Sequence, residues 1–418
     1  MRGHSLGLDR LLHPITAEEF LRTAWEKEPL LIGRSQPAYF EDLPGLDDVD
    51  ELITATTAGL RIFGGGENSR RWAGDGLVRT GEGRVSEREV VMTAAGVPDI
   101  QDVYRAYHEG YTIVLNALHR RSSKVANLSR AVEAELHHPV GVNLYLTPRN
   151  AQGFDLHVDT HDVFILQLHG TKEWHVAEPV RRMPLATENG RRPPEDTVLR
   201  TLTIEPGDSL YIPRGHAHRA VSTSTSSLHL TVGIHAFCWV DLMAEALRLA
   251  ADEDSRFRTA LPPGFLDHEI DPHTLTGLGD RFARALTDES LVRRARENLS
   301  ARLVNGGKAA PGGHIRSLDG IARLTEKSLV RWTRVMPRRI RTDASEVTIE
   351  FDGNFVSGPL FLEDALRFVA DHEHFRIGEL PAIGDFPATA KTDLVSRLIR
   401  EGLLVIADHT VEGNSHAS

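Results

Sequence analysis

The sequence predicts an α+β protein in which an antiparallel β-sandwich or barrel is flanked by helices. Residues 111–236 contain short segments rich in Val, Ile, Leu, Thr and Tyr, separated by turns that contain Gly, Pro and Asp. Such segments are typical of sandwiches and barrels. Before and after this part, apolar residues recur at the spacing of one face of a helix.

The composition is that of a soluble globular protein and limits the possible functions. The chain has 418 residues, of which 40% are hydrophobic and 26% are charged. At roughly 100–200 residues per domain, this length suggests two or three domains. Apolar runs stay shorter than the ~18 residues that a membrane helix needs, and the N-terminus lacks the pattern of a secretory signal. A net charge of −11 argues against a general nucleic-acid binder. From these three observations together, we expect a cytoplasmic protein without membrane or nucleic-acid partners.

The single cysteine, Cys238, narrows the kinds of site that the chain can form. It excludes an intramolecular disulfide and a cysteine-rich zinc site. Any bound metal must therefore be held by histidine and carboxylate side chains, and the sequence offers 21 histidines.

The N-terminal part predicts short helices and one buried strand. Residues 16–34 indicate a helix with one apolar face, followed after a proline by the apolar strand Leu30-Leu31-Ile32. Residues 46–58 and 99–108 predict two further short helices. The Gly- and Arg-rich residues 64–88 lack periodicity and are predicted to form loops and short exposed strands.

The later parts of the chain predict a loop, a helical segment and a mixed C-terminal region. Within the β-rich part, the polar residues 180–197 predict a mobile loop. Residues 240–300 have apolar side chains at helical spacing, and residues 305–314 (NGGKAAPGGH) predict a linker. Residues 316–410 mix strands with helices, and their end has the helix–loop–helix–strand order of a winged helix.

The strongest local signal for chemistry is a histidine and an aspartate two positions apart, His157 and Asp159. On a strand, side chains two apart point to the same face, so an imidazole and a carboxylate could meet one ion. The alternative is two surface residues on an ordinary strand, because His-x-Asp arises by chance in a histidine-rich chain. The position of the pair at the mouth of the predicted barrel favours the metal site.

A third ligand must come from another strand, and His218 follows a second predicted strand 59 positions after Asp159. Two imidazoles and one carboxylate leave three coordination positions open, which is the arrangement of non-haem Fe(II) oxygenases. His216 would share a face with His218 on an extended strand. We expect His216 to support the ligands or to face solvent.

Five further histidines lie in or near the β-rich part: His161, His169, His175, His229 and His235. Most are expected to line the barrel or to face solvent. A zinc site of three histidines is the chemical alternative for such a group. No pair among them has the His-x-x-x-His spacing of ligands on a helix.

A 2-oxo acid cosubstrate would bring a distal carboxylate that needs a cation. Lys172 lies 15 residues after His157, beyond a turn that would return it to the barrel interior. A lysine on a barrel strand could equally be solvated.

Polar side chains on two strands are candidates for the rest of that pocket. Asn143, Tyr145 and Thr147 alternate along one strand and therefore face one side. Thr231 is a further hydroxyl on a late strand.

Taken together, these motifs resemble a known family, the JmjC-type ribosomal oxygenases of the cupin superfamily. The order and spacing match across about 90 residues. The matching residues are Asn143–Pro148, Gln152–Phe154, His157-x-Asp159-x-x-Asp162–Gln167, Gly170-x-Lys172-x-Trp174 and Glu205–Asp208-x-Leu210–Gly215-x-x-His218.

The resemblance implies a fold and a domain order for the whole chain. It implies a double-stranded β-helix, the JmjC/cupin barrel, with N-terminal helices over residues 1–238. A helical dimerisation segment over 239–304 and a C-terminal winged-helix domain over 315–410 would follow. The protein would then be a homodimer.

The resemblance also implies cofactors and site residues. His157, Asp159 and His218 would bind Fe(II) and form the catalytic centre. Lys172, for which bacterial family members often carry Arg, would bind the 2-oxoglutarate carboxylate. Asn143, Tyr145 and, as the late-strand hydroxyl, Thr231 would complete the cosubstrate pocket; Gly233 stands where family members can carry Ser or Thr.

The implied reaction is Fe(II)- and 2-oxoglutarate-dependent hydroxylation of a side chain in a protein, typically a ribosomal protein. Three alternatives stay open. The substrate could be a small molecule or a peptide natural product, or the oxidant could attack an N-methyl-lysine. In another class, the chain could be a DNA-binding regulator that uses its winged helix, although the basic residues of that helix are mixed with acidic ones.

Overall fold

The computed structural model divides the chain into two compact units. One unit comprises Met1–His235 with two short later segments, and the other comprises the rest of the chain. The structure describes residues 7–56, 59–64, 70–73, 76–79, 86–188, 193–194, 197–307, 314–387 and 389–407. Most of the predicted linker and parts of the predicted loops at 64–88 and 180–197 lie outside these residues.

The helices of the described residues are short, and most lie before or after the β-rich part. They are α1 (Leu8–Leu12), α2 (Ala17–Thr23), α3 (Leu46–Thr54), α4 (Ile100–His108), α5 (Ser123–Leu136), α6 (Trp239–Glu253), α7 (Pro272–Leu286), α8 (Glu289–Asn305), α9 (His314–Gly320), α10 (Glu363–Asp371) and α11 (Thr389–Arg400). Among the described residues, no helix has the length and apolar character needed to cross a bilayer.

The strands are concentrated in the first unit. There they are β1 (Leu30–Ile32), β2 (Leu60–Gly64), β3 (Arg70–Ala73), β4 (Gly76–Arg79), β5 (Ser86–Arg88), β6 (Thr112–Leu115), β7 (Val140–Thr147), β8 (His157–Val158), β9 (Asp162–His169), β10 (Lys172–Pro179), β11 (Arg200–Ile204), β12 (Ser209–Ile212), β13 (His216–Ser222) and β14 (Ser227–Ile234). The second unit has β15 (Leu329–Trp332), β16 (Arg338–Thr342), β17 (Glu346–Phe351), β18 (Asn354–Pro359), β19 (His374–Arg376) and β20 (Leu404–Ile406).

Two antiparallel sheets form the β-domain, which confirms the predicted barrel. The larger sheet has the strand order β1-β12-β9-β14-β7-β6-β2-β5, and the smaller has the order β11-β10-β13-β8. Neighbours such as β9 and β12 are far apart in sequence, so the chain passes back and forth between the sheets. This topology is the double-stranded β-helix that the sequence motifs implied.

Strand β7 shows how the sequence separates the core from the site. Its residues Val140, Val142, Leu144 and Leu146 belong to a core that also contains residues of α5. From position 143 onward the alternate residues are polar, and only the last of them is fully buried. Because successive side chains of a strand point to opposite faces, this alternation packs one face of β7 and turns the polar face toward the cavity.

Helix α5 was not predicted, since residues 111–236 were interpreted as strands and turns only. The Ser122 hydroxyl caps its start by accepting a hydrogen bond from the Val125 amide. Val125, Leu128 and Val132 are buried along one helical face. The helical spacing of these apolar residues and the serine cap both indicate a helix. The strand-like segments on either side led to the prediction of strands and turns instead.

A buried ion pair fixes the segment that follows Asp159. The Asp162 carboxylate, which is 0% exposed, accepts hydrogen bonds from the Arg214 guanidinium at 2.7 Å and the Tyr211 hydroxyl at 2.8 Å. Arg214 also binds Glu26. These bonds join the start of β9 to the turn that precedes β13, and both segments lead into the candidate site.

The second unit combines a helical part with two small sheets. Helices α6 and α8 pack through Ala246, Leu249, Ala250, Leu291 and Ala295. One sheet has the order β19-β15-β20 and the other β16-β17-β18, and both are antiparallel.

We predict that Arg214→Met lowers the free energy of unfolding by about 3–5 kcal/mol, because it leaves the buried Asp162 carboxylate without its cation. Urea titration followed by tryptophan fluorescence measures this change. The matched control is Arg105→Met, because Arg105 is 61% exposed and pairs with Asp102 at 3.3 Å. The control should lose less than about 1 kcal/mol; equal losses in the two variants would contradict the prediction.

Candidate metal centre and cosubstrate pocket

The structure brings the three predicted ligands together. One ligand atom each from His157, Asp159 and His218 lies within 4.8 Å of the others. His157 Nε2 lies 3.9 Å from Asp159 Oδ1, and His218 Nε2 lies 3.5 Å from Asp159 Oδ2. We searched the described residues for histidine, cysteine, aspartate and glutamate side chains whose ligand atoms lie close enough together to hold one metal ion. These three residues form the group that was found. It contains two histidines and a carboxylate rather than the three histidines of the zinc alternative.

Strand pairing explains why the two imidazoles meet. His157 on β8 and His218 on β13 are directly opposite in the antiparallel register. Directly opposite side chains on one face of a sheet are close neighbours, and the two ring centroids are 4.4 Å apart. Asp159 follows β8, and its backbone carbonyl accepts a hydrogen bond from the Gly215 amide at 2.9 Å.

Both imidazoles are fixed in the tautomer that a metal ligand needs. His157 Nδ1 lies 2.8 Å from the Asp155 carbonyl, and His218 Nδ1 lies 3.1 Å from the His216 carbonyl. A carbonyl oxygen only accepts, so each Nδ1 carries the proton and donates it. Each Nε2 therefore presents a lone pair, and such hydrogen bonds orient histidine ligands in metal sites.

The electrostatics of the three groups also suit a cation. Burial, and then the neighbouring His157, lowers the pKa of His218 to about 4, so this imidazole is neutral near pH 7. Burial alone would raise the pKa of Asp159, but the surrounding imidazoles, first His157 and then His218, hold it below its usual value. A carboxylate and a neutral imidazole are the protonation states that bind a metal.

His216 is not part of this group. Its Nδ1 donates to the Ala177 carbonyl at 2.8 Å, and the residue is 4% exposed. Its backbone carbonyl holds His218 Nδ1 at 3.1 Å. His216 therefore supports a ligand, which is the first of the two roles expected for it, and it does not face solvent.

The three side chains line a cavity of about 340 Å³ between the two sheets. The four residues predicted for the cosubstrate pocket, Lys172, Asn143, Tyr145 and Thr231, line the same cavity.

Lys172 is buried in this cavity without a carboxylate partner among the described residues. It is 3% exposed, and its ammonium donates to the Thr147 hydroxyl at 3.0 Å. Thr147 lies 3.2 Å from the Thr112 hydroxyl. Burial lowers the pKa of Lys172 to about 7. A buried cation without a counter-ion is costly, so this end of the cavity suits an anionic ligand.

Polar residues of β7 and β14 line the same cavity. Burial raises the pKa of Tyr145 to about 12, and the Asn143 side chain forms a hydrogen bond with its phenol. The Asn143 carbonyl oxygen also accepts from the Ala117 amide at 2.9 Å. Thr231 is opposite Asn143 in the register of β14 and β7.

Several residues that line the cavity were not predicted as site residues, and three of them carry ionisable side chains close to the predicted ones. His229 is 2% exposed and stacks on Tyr145 with ring centroids 4.9 Å apart, and burial, and then Lys172, holds its pKa well below the usual value. His161 and Arg61 also line the cavity. The alternation His229, Thr231, Gly233 along β14 was a readable signal for the first of them.

The donor set fits a divalent iron ion. Two imidazole nitrogens and one carboxylate oxygen converge from one side, which leaves coordination positions open toward the cavity. The buried, unpaired ammonium of Lys172 lies in the same cavity and fits the distal carboxylate of a 2-oxo acid.

Comparisons with known proteins agree with this geometry. Residues 117–242 match the JmjC domain family. Ribosomal oxygenase 2 of Rattus norvegicus is 29% identical to this chain over 370 residues. The match covers 82% of this chain and 75% of that protein. The bifunctional lysine-specific demethylase and histidyl-hydroxylase NO66 of Aedes aegypti is 29% identical, and the match covers 95% of this chain and 67% of that protein.

A solved structure shares the fold along nearly the whole chain. It is that of YcfD, a ribosomal oxygenase from Escherichia coli, in complex with cobalt and 2-oxoglutarate. The TM-score is 0.57 at 16% identity, and the match covers 94% of this chain and 99% of that chain. The fold, the three-ligand group and the sequence matches together show that this chain carries a JmjC domain and resembles the ribosomal oxygenases.

Proposed function

We propose that this protein is an Fe(II)- and 2-oxoglutarate-dependent oxygenase that hydroxylates a side chain of a protein substrate, a ribosomal protein. The observation that carries the proposal is one cavity that contains both a two-histidine, one-carboxylate group and a buried lysine without a counter-ion. The names of the relatives, ribosomal oxygenase and histidyl-hydroxylase, support the substrate class. A cytoplasmic location would suit such a substrate.

His157, Asp159 and His218 would hold the iron. When bound, Fe(II) together with 2-oxoglutarate and O2 supplies the oxidising power for hydroxylation of a C–H bond, with succinate and CO2 as coproducts. The chain fixes the ligand tautomers through the Asp155 and His216 carbonyls. It also holds Asp159 as a carboxylate at neutral pH.

Lys172 would bind the distal carboxylate of 2-oxoglutarate through its ammonium. Thr147 already holds that ammonium in place, and the Tyr145 phenol and the Thr231 hydroxyl would add hydrogen bonds. The buried position of Lys172 excludes water, which strengthens a charge-assisted hydrogen bond. These contacts would orient the cosubstrate toward the iron ligands.

The first prediction from this proposed function concerns turnover. Purified protein should convert 2-oxoglutarate to succinate in an Fe(II)-dependent reaction, even without substrate. His157→Ala should lose this activity by about 100-fold or more, because mutating even the residues that orient metal ligands costs about 10- to 100-fold. Succinate is measured by mass spectrometry. The control is His169→Ala, at the exposed end of β9, which should keep the wild-type rate.

Substrate identity is tested separately from turnover. The masses of ribosomal proteins are compared between host cells that contain this protein and cells that lack it. One ribosomal protein should be heavier by a single oxygen atom in the cells that contain it. An unchanged ribosome would favour the small-molecule or peptide alternative, and loss of a methyl group would favour demethylation. A wild-type protein without Fe(II)-dependent turnover would contradict the oxygenase assignment itself.

The second prediction concerns pH. Because the pKa of Lys172 is about 7 in the free protein and carboxylate binding needs the ammonium form, the affinity for 2-oxoglutarate should be constant below pH 7. Above that pH it should fall by about tenfold per unit. Isothermal titration with the Mn(II)-loaded protein between pH 6.5 and 9 measures the dissociation constant.

The control for this prediction is Lys172→Arg. A guanidinium stays charged throughout this range, so the variant should bind 2-oxoglutarate with little dependence on pH above 7. The same slope in wild type and variant would show that another group causes the pH effect.

We further propose that residues 239–304 form a dimerisation segment. Trp239, Val240, Met243 and Leu247 lie along α6 and are 77%, 50%, 47% and 41% exposed. Large apolar side chains in a contiguous exposed stripe mark an interaction site. A second copy of the chain is the partner that the family resemblance favours.

The third prediction tests this dimer. Light scattering after size exclusion should give twice the monomer mass of 46.3 kDa, and Trp239→Glu with Leu247→Glu should give the monomer mass, because two charges would be buried in the interface. Phe355→Glu is the control, since Phe355 is 61% exposed elsewhere in the same unit. A monomeric wild type would contradict the proposal.

For residues 315–410, we propose a winged-helix-like domain that serves a structural rather than a DNA-binding role. Two of the basic side chains on its last helix, α11, are engaged within the same unit. Lys391 donates to the Gly378 carbonyl at 3.0 Å, and Arg397 donates to the Ser357 carbonyl at 2.8 Å. A basic side chain that forms such a bond must break it before it can contact a phosphate of DNA.

A further inference from the structure

The amine of Lys172 is placed to react as well as to bind an anion. Its side chain is 3% exposed, and its nitrogen bonds the neutral Thr147 hydroxyl rather than a carboxylate. Because burial penalises the charged form, the pKa of Lys172 is lowered to about 7. At neutral pH about half of the molecules therefore carry an uncharged amine here, whereas a lysine in water is almost entirely an ammonium.

Two ring nitrogens in the same cavity are buried without a hydrogen-bond partner among the described residues. They are Trp174 Nε1 and His229 Nδ1, on side chains that are 6% and 2% exposed. The Lys172 amine lies 6.0 Å from the centroid of the Trp174 ring, and the Trp174 and His229 ring centroids are 5.6 Å apart. An indole N–H only donates, and a buried donor without an acceptor is costly. The cavity around Lys172 therefore suits a group that brings acceptor oxygens.

CO2 can supply those oxygens when 2-oxoglutarate is not bound. We propose that CO2 reversibly carbamylates Lys172, and that this modification blocks the binding of 2-oxoglutarate. The inference rests on the proposed oxygenase function for one source of CO2, because that reaction would release CO2 in this cavity. The chemistry at the lysine itself needs only dissolved CO2.

The step is an addition without oxidation or reduction. The lone pair of the uncharged Lys172 nitrogen attacks the carbon of CO2, and an N–C bond forms while the electrons of one C–O π bond move onto oxygen. The nitrogen then releases one proton to solvent. The product is a carbamate with a single negative charge, and the amine is regenerated when a proton returns and CO2 leaves.

The surrounding side chains can hold this carbamate. Its two oxygens can accept hydrogen bonds from Trp174 Nε1 and from His229 in the tautomer that carries a proton on Nδ1. The Thr147 hydroxyl, which now accepts from the amine, can turn and donate. Such bonds offset the cost of a buried charge.

The carbamate reverses the charge that the cosubstrate needs. An ammonium at Lys172 attracts the distal carboxylate of 2-oxoglutarate, whereas an anion there repels it. A bound carboxylate in turn keeps Lys172 in its ammonium form, which has no lone pair for CO2. Carbamylation and cosubstrate binding are therefore mutually exclusive.

Carbon-13 NMR tests the modification without turnover. The full-length protein, free of 2-oxoglutarate, is equilibrated with carbon-13 bicarbonate at pH 8 in a closed tube. A carbamate resonance should appear beside those of CO2 and bicarbonate, disappear in Lys172→Arg and remain in Lys327→Arg, because Lys327 is exposed. A carbamate at the N-terminal amine would remain in both variants. In the wild type, adding Zn(II) and 2-oxoglutarate should remove only the Lys172 resonance.

A binding measurement connects this occupancy to the cosubstrate. With one equivalent of Mn(II) at pH 8 and constant ionic strength, CO2 should raise the apparent dissociation constant of 2-oxoglutarate. Mass action predicts an increase of about twofold at the CO2 concentration that carbamylates half of the protein. Lys172→Arg should show no increase, because its guanidinium stays charged.

The outcomes separate this inference from the proposed function. If no resonance is lost in Lys172→Arg, or if 2-oxoglutarate leaves the Lys172 resonance unchanged, the inference is overturned and the oxygenase assignment stands. If bicarbonate weakens 2-oxoglutarate binding equally in wild type and Lys172→Arg, simple competition between anions explains the effect and the inference is also overturned. A wild type that forms the carbamate but does not turn over 2-oxoglutarate contradicts the proposed function and not the modification.

Discussion

The pairing of β8 with β13 is the interaction on which the site depends. Strand β8 is only two residues long, yet its register places His157 directly opposite His218. Asp159 follows at once, and the Gly215 amide holds its backbone. A shift of one residue in this register would turn one imidazole to the other face of the sheet. The three side chains could then no longer bind the same ion.

Buried polar contacts around the pairing keep that register in place. The Asp162 carboxylate joins the start of β9 to Arg214 and Tyr211, and the carbonyls of Asp155 and His216 fix the two imidazoles. The cavity that results contains the buried ammonium of Lys172 as well as the three ligand side chains. An anion could therefore be held next to a metal in the same cavity.

Local patterns in the sequence were sufficient to predict the ligand group but not the whole cavity. The two-residue spacing of His157 and Asp159 and the alternation of Asn143 and Tyr145 follow from strand geometry alone. The choice of His218 and the role of Lys172 needed the family motifs. His161 lines the cavity because the register of β9, β14 and β7 places it over Gly233, and long-range register cannot be read from a local segment.

The most direct test of the account is where a metal binds. Crystals of the protein grown with Co(II) and 2-oxoglutarate, measured at the cobalt absorption edge, would locate the ion by anomalous scattering. The account predicts one strong peak within bonding distance of His157 Nε2, His218 Nε2 and a carboxylate oxygen of Asp159. A peak at other residues, or none in this cavity, would contradict it.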